Sequence, residues 1–460
     1  MSPASSTLSF GTRVSYAVGD LGLNVYWQGV GLFLFFFYTD ILGIPAWWAG
    51  VTILIASLWD AITDVLIAGL ADRTQTSMGR YRPYLLLTPP FLALAFCAMF
   101  YVPSTLSAGP LIAYALATHL IFRTLYTLYA IPYSSLSVRV ALDSASRSRL
   151  AGTRMQAAAI GGLTTAMATP SIVARFTEWS GDPGQGWLLA AVLMAVAATT
   201  AMWVCFAGTR EQAIAEASPV QGGIADDFRT AIAMLRRNGP LVRVFLCITL
   251  ASLCLAMLSK TIIYWFKYAV GNEAAAGLAL IIGPSILILC APLWAWYSVR
   301  RSKRQAWMLG AGITLFGCLL FFALPMQNTL AVYASLAFIG LGTSSFAVMF
   351  WSMLPDTVEY DRWISGENHE AKVFGFASFA QKSALGLNAF ILGVLLDGVG
   401  FVPNVAQSEG TLLGLKSIMS LIPALGALLT LVVLFRYPLD AAEHTRIKDQ
   451  LRVRDQLPQR

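Results

Sequence analysis

The sequence predicts an all-α polytopic membrane protein with twelve transmembrane helices in two pseudo-symmetric six-helix bundles. Three observations predict it. Of 460 residues, 57% are apolar and only 12% are charged, about half the charge of an ordinary soluble domain. The apolar residues gather into twelve long runs, and a bilayer core about 30 Å thick needs roughly 20 such residues per helix. The cations collect in the segments that share one side of those runs, as the positive-inside rule requires. This balance excludes a soluble enzyme. The net charge of +7, from 31 basic and 24 acidic residues, reflects topology and contact with membrane lipid rather than nucleic-acid binding.

The first run, 14–38, follows a polar leader with no small-residue cleavage site, so it is expected to remain as a membrane helix. Runs 47–71 and 84–102 flank a basic loop, and 111–138 passes through Pro132 into another charged segment. Runs 155–176 and 187–206 complete an N-terminal bundle over 1–209. The longest polar interval contains Gly222, Gly223, Asp226, Asp227, Arg236 and Arg237, and reads as a cytoplasmic middle loop, 210–239. Runs 241–268, 276–299, 306–324, 330–354, 374–399 and 412–435 build a C-terminal bundle over 240–437, and 438–460 reads as a solvated cytoplasmic tail. With both termini cytoplasmic, only Arg175, Lys267 and Lys416 fall outside, and only Arg123, Lys260 and Lys382 lie within runs. The expected location is the inner cell membrane. The basic loop after the second run, with Asp72, Arg73, Arg80 and Arg82, has a counterpart at 300–304 after the eighth. Parallel repeats with a midplane site between them characterise one class of secondary transporters. The six cysteines fall in or at the ends of apolar runs without CxxC spacing, which predicts packing and no metal or redox cofactor.

Charges inside the runs carry the functional argument, because each costs roughly 2.5 to 3.5 kcal/mol at a helix centre. Asp60 and Asp64 stand one turn apart on one helix face. Such a pair can chelate a monovalent cation or share a proton, or it can serve as two buried salt bridges. Asp20, Asn24 and Gln28 recur every four residues in the first run, a polar stripe suited to sugar hydroxyls or to helix contacts. Lys260 and Tyr264 lie in the seventh run; Ser378, Gln381 and Lys382 lie in the eleventh. Lys382 suits either a carboxylate of the other bundle or an anionic substrate. Arg123, between His119 and Thr127, cannot shed its charge and must pair, with Asp60 or Asp64 as candidates. His119 reads as a packing residue. Tyr126, Tyr129, Tyr133 and Trp351 suit helix packing or stacking on a sugar ring. Asp72, Arg73 and Arg80, with Asp356, Glu359 and Asp361 beside Arg362, are expected to form cytoplasmic gate networks that break as two bundles rock.

The ordered segments Gly19-Asp20 with Asn24, Phe37-Tyr38-Thr39-Asp40, Trp59-Asp60-Ala61-Ile62-Thr63-Asp64, Asp72-Arg73-Thr74, Gly79-Arg80-Tyr81-Arg82-Pro83-Tyr84, Ile131-Pro132-Tyr133-Ser134-Ser135-Leu136 and Asp356-Thr357-Val358-Glu359-Tyr360 closely resemble the glycoside-pentoside-hexuronide:cation symporters of the major facilitator superfamily. That family includes the melibiose and glucuronide permeases, and the match spans nearly the whole chain. The resemblance implies alternating access and cation-coupled sugar uptake. It implies that Asp60 and Asp64 bind the coupling cation with Thr127, and that Asn24, Tyr126, Arg154, Ser378 and Lys382 line or border the sugar site. Melibiose permeases carry aspartates where this chain has Asn24 and Ala130, so the pattern looks closer to the glucuronide and pentoside branches. An anionic sugar fits Arg154 and Lys382. Fewer carboxylates and the fixed cation of Arg123 favour H+ over Na+ as the coupling ion, with uncoupled transport also open. The expected protein is a monomer binding a small sugar and a monovalent cation. A lysolipid transporter on the same scaffold is the rival. A membrane enzyme or receptor is disfavoured, because the three histidines have no metal-ligand spacing and no nucleophile constellation is present.

Overall fold

The computed structural model describes residues 9–140, 144–211, 233–325, 329–366, 370–439 and 441–456. Among the described residues, twelve helices are long and apolar enough to cross a membrane. In chain order they are span 1, Phe10–Ile41; span 2, Ala46–Ala71; span 3, Arg82–Met99; span 4, Ala108–Ser137; span 5, Gly152–Ser180; and span 6, Pro183–Gly208. Then follow span 7, Gly239–Val270; span 8, Glu273–Arg300; span 9, Lys303–Ala323; span 10, Thr329–Ser365; span 11, Phe379–Gly398; and span 12, Glu409–Phe435. Every apolar run of the sequence becomes one of these helices. The helices of spans 5 and 10 outrun their apolar cores, reaching Ser144–Ser180 and Thr329–Ser365, since polar residues with good helix propensity continue a helix after hydropathy falls. Spans 3, 4, 5, 8, 10 and 12 hold interior prolines, Pro89, Pro90, Pro132, Pro170, Pro284, Pro292, Pro355 and Pro423, which packed membrane helices tolerate by re-satisfying the freed backbone groups.

Spans 1 and 7 share a local peculiarity. Each contains two π-helical stretches, Gly29–Phe33 and Phe37–Ile41 in span 1, and Ala251–Leu255 and Phe266–Val270 in span 7. Such widened turns gather at functional sites, and their recurrence on the first helix of each set of six agrees with the internal repeat.

The chain packs as two compact units. One comprises Met1–Ala217, Phe266–Ile281 and Ala389–Ser408. In it span 1 packs against spans 5 and 6 through glycine: a Cβ on Gly161 would stand 2.7 Å from the Leu21 carbonyl, and one on Gly22 2.8 Å from that of Ala198. Small residues at such crossings let helix backbones approach where lipid supplies no hydrophobic drive. Its core is aromatic, with Trp187 stacked on Phe100 at 5.8 Å and flanked by Phe33, Phe36 and Phe37. The other unit comprises Ser218–Trp265, Ile282–Asn388 and Glu409–Arg460. There Gly310 and Gly342 bring spans 9 and 10 together, and Trp294 donates to the Leu341 carbonyl and the Ser344 hydroxyl.

The C-terminal tail departs from the expectation of a solvated segment. It forms a helix, Ala441–Gln456, whose Ile447 and Leu451 are buried in the second unit's core with Val358, Tyr437 and Leu439. Two apolar residues one turn apart suffice to dock an otherwise charged helix.

Candidate functional site

Span 2 holds the paired carboxylates and span 4 their partners, all within the first unit. Asp60 is buried, and Asp64, one turn on, is half-buried. The Thr127 hydroxyl lies 3.1 Å from Asp60 Oδ1 and 3.1 Å from Asp64 Oδ1. Arg123, one turn before Thr127, places Nη1 3.8 Å from Asp60 Oδ2, with 10% of its side chain and 3% of that of Asp60 accessible. Its Nε donates to His119 Nε2 at 3.3 Å, and its guanidinium lies 5.2 Å from the Trp27 ring centre. His119 therefore orients the arginine as well as packing. This cluster joins Asp60, Asp64, Thr127 and Arg123 as the sequence anticipated, with Asp60 as the arginine's carboxylate.

Span 1 supplies a second cluster. Asp20 accepts from Arg154 Nε at 2.8 Å. The sequence groups Arg154 with the cytoplasmic segment; the structure places it inside span 5 and inside an ion pair. It is thus not a bare cation waiting for an anion. Its guanidinium lies 5.0 Å from the Tyr133 ring centre and 5.7 Å from that of Tyr16. Those two rings stack at 4.6 Å, and each hydroxyl donates to the other's carbonyl, at 2.6 Å from Tyr16 and 2.9 Å from Tyr133. Tyr133 and Tyr129 are spent on this stack and offer no face to a sugar. Asn24 uses its amide nitrogen on the Asp20 carbonyl. Tyr126 sits beside Trp27 at 5.8 Å, and Gln28 lies against Gly162 of span 5.

The other predicted residues are distributed as follows. Lys260 of span 7 is buried and Lys382 of span 11 half-buried, both in the second unit. The side chains of Asp72 and Ser378 lie outside the described residues. In the second unit Asp356 pairs with Lys303 at 2.7 Å, and Glu359 with His444 of the tail helix at 2.6 Å. Asp361 pairs with Arg237 at 3.1 Å. Arg73 is exposed, and Arg80 contributes its backbone N–H.

Two structural features escaped the sequence. Glu211 accepts from three successive backbone N–H groups, those of Arg80, Tyr81 and Arg82, at 2.9, 2.5 and 2.9 Å. It caps the positive end of span 3, where Gly79 takes φ +109°. At the far end of span 1, the fully buried Asp40 carboxylate receives Lys267 Nζ at 2.8 Å and the Tyr268 hydroxyl. Asn404, in the left-handed region at φ +60°, accepts from Lys267 and donates to the Asp40 carbonyl. Backbone donors and long-range loop contacts leave no periodic trace in a sequence.

Twelve apolar spans with ionised pairs held inside them define a multi-pass secondary transporter of the major facilitator class, and not an enzyme. The chain belongs to the family described as MFS/sugar transport protein, whose profile matches residues 15–441, and within it to the glycoside-pentoside-hexuronide type of symporter. It is 27% identical to a glucuronide carrier protein homolog of Escherichia coli (strain K12), over 94% of this chain and 93% of that one. It is 28% identical to an isoprimeverose transporter of Lactiplantibacillus pentosus, over 95% and 90%. A solved D-xylose-proton symporter superposes with a TM-score of 0.67 at 14% identity, covering 94% of this chain and 98% of that one, a likeness of fold alone.

Proposed function

We propose that this chain is a monomeric proton symporter that imports a glycoside, pentoside or hexuronide across the inner cell membrane. Both termini lie in the cytoplasm, and the six-helix bundles over 1–209 and 240–437 alternate access to a midplane sugar site. The observation that carries proton coupling is the position of Thr127. A hydroxyl has one proton to give, and an added proton shared among the carboxylates around it relieves their like-charge repulsion. Thr127 stands 3.1 Å from a carboxylate oxygen of each aspartate. Arg123 faces Asp60, and Asp64 is the proposed carrier of the transferable proton. A metal cation at the same oxygens would meet the repulsion of that guanidinium. The proposed sugar-binding residues of the first unit are Asp20, Asn24, Gln28, Tyr126 and Arg154, and those proposed on the eleventh helix are Ser378 and Lys382. The relatives named as a glucuronide carrier protein homolog and an isoprimeverose transporter support a sugar of this class. Proton and sugar binding are linked reciprocally, each tightening the other.

Uptake into membrane vesicles tests this reading. A pH gradient, inside alkaline, is expected to drive accumulation, and a sodium gradient at constant pH to add nothing. Asp64→Asn is expected to lose accumulation while retaining sugar exchange. Undiminished accumulation by that variant, or strong sodium stimulation of the parent chain, overturns the assignment.

A further inference from the structure

We infer that Asp20 is a specificity-determining residue: it is an internal counter-anion that neutralises Arg154 and so keeps the first unit's share of the sugar site open to uncharged glycosides. The inference rests on the sugar reading above. Arg154 Nε is committed to Asp20 Oδ2 at 2.8 Å, and the guanidinium carbon lies 5.0 Å from the Tyr133 ring centre and 5.7 Å from that of Tyr16. Crossed hydroxyl-to-carbonyl bonds make that stack rigid. An arginine side chain has five N–H donors in a fixed fork. Among the described residues, no hydrogen bond engages the terminal Nη1 and Nη2 groups of Arg154, and 24% of its side chain and 13% of that of Asp20 remain accessible. The pair therefore presents a donor edge beside an acceptor carboxylate, with no net charge.

That combination suits sugar hydroxyls, which donate and accept. A uronide carboxylate finds the same donor edge but must also approach Asp20, whose charge repels it, and must compete with it for the guanidinium. Asp20 thus penalises anionic sugars relative to uncharged ones, and Arg154 supplies the attraction for both. The other ionisable groups around the pair, Tyr126, Tyr129, Tyr133 and Cys205, are neutral phenols and a thiol. Asn24 is occupied with the Asp20 carbonyl. Within the first unit, the charge at this position is set by Asp20 and Arg154 together.

The test uses the full-length chain in nanodiscs and two probes that differ only at C6, methyl β-D-glucuronide and methyl β-D-glucoside, measured by calorimetry at fixed pH and salt. Asp20→Asn is expected to raise the glucuronide-to-glucoside affinity ratio at least tenfold, Arg154→Gln to lower it, and Asp20→Glu to keep the parent ratio. An unchanged ratio in Asp20→Asn overturns the inference alone. So does an equal loss of both affinities in Asp20→Asn that Asp20→Glu shares, which makes Asp20 a structural residue. Binding of neither probe to the parent chain overturns the sugar reading, and this inference with it.

Discussion

Replacing Arg123 by serine tests the ion assignment most directly. The substitution removes the guanidinium that stands 3.8 Å from Asp60 Oδ2, in a pair whose two side chains are at most one-tenth exposed. At that separation, two unit charges at an effective dielectric of about 20 attract by about 4 kcal/mol. Desolvation offsets part of this, but losing one partner of a buried pair still costs about 3 to 5 kcal/mol, because the other charge is left uncompensated. A small cation that fills the vacated space recovers that cost. The carboxylate oxygens of Asp60 and Asp64 and the Thr127 hydroxyl then become its ligands. The expected outcome is a gain of function: purified Arg123→Ser is stabilised by sodium chloride relative to choline chloride at constant ionic strength, and the parent chain is not. Since stabilisation follows RT ln(1 + [L]/Kd), sodium at one hundred times its Kd contributes about 2.7 kcal/mol, readily seen in a thermal melt. Arg123→Lys keeps a cation in place and is expected to stay sodium-insensitive. Sodium stabilisation of the parent chain, or the same small response in parent, Arg123→Ser and Arg123→Lys, refutes the reasoning.

Two further outcomes follow from pairs found only in the structure. Lys267→Ala leaves the buried Asp40 carboxylate without its cation and is expected to destabilise by about 3 to 5 kcal/mol. The exchanged pair Asp40→Lys with Lys267→Asp is expected to melt well above the sum of its single variants, and strict additivity in that cycle counts against the clasp. Ile447→Ala, at the buried face of the tail helix, is expected to cost about 2 to 5 kcal/mol and to expose the tail to limited proteolysis. Unaltered protection of the tail would return it to a solvated segment.

Every span was legible in the sequence because hydropathy over about 20 residues reports the bilayer directly. The carboxylates of span 2 and their partners on span 4 were legible for a related reason: a charge in an apolar run must be answered, and i, i+4 spacing says which residues share a face. Arg154 shows where that logic stops. It lies at the margin of its apolar run, so the sequence counts it among the loop cations, whereas the helix continues past the hydropathy boundary and carries the side chain to Asp20. Glu211 and Asn404 were illegible for a different reason. Glu211 binds backbone N–H groups that every residue but proline possesses, and Asn404 depends on a turn geometry and on partners more than a hundred positions away.

The paired charges bear on how a carrier crosses its cycle. A lone charge moved through an apolar region carries its full desolvation cost, while a neutral pair carries much less. In the first unit Asp20, Asp40 and Asp60 each have a cation within 3.8 Å, at Arg154, Lys267 and Arg123 respectively. Under the reading proposed above, these three pairs travel with the helices and add no net charge to either state. Under the proton reading, the one step that changes the charge of the Thr127 cluster is the arrival or departure of a proton at Asp64. Asp64→Asn fixes the cluster in its uncharged condition, which is why it is expected to leave exchange running while abolishing accumulation: the sugar still crosses in both directions, but no proton gradient is spent to favour one of them.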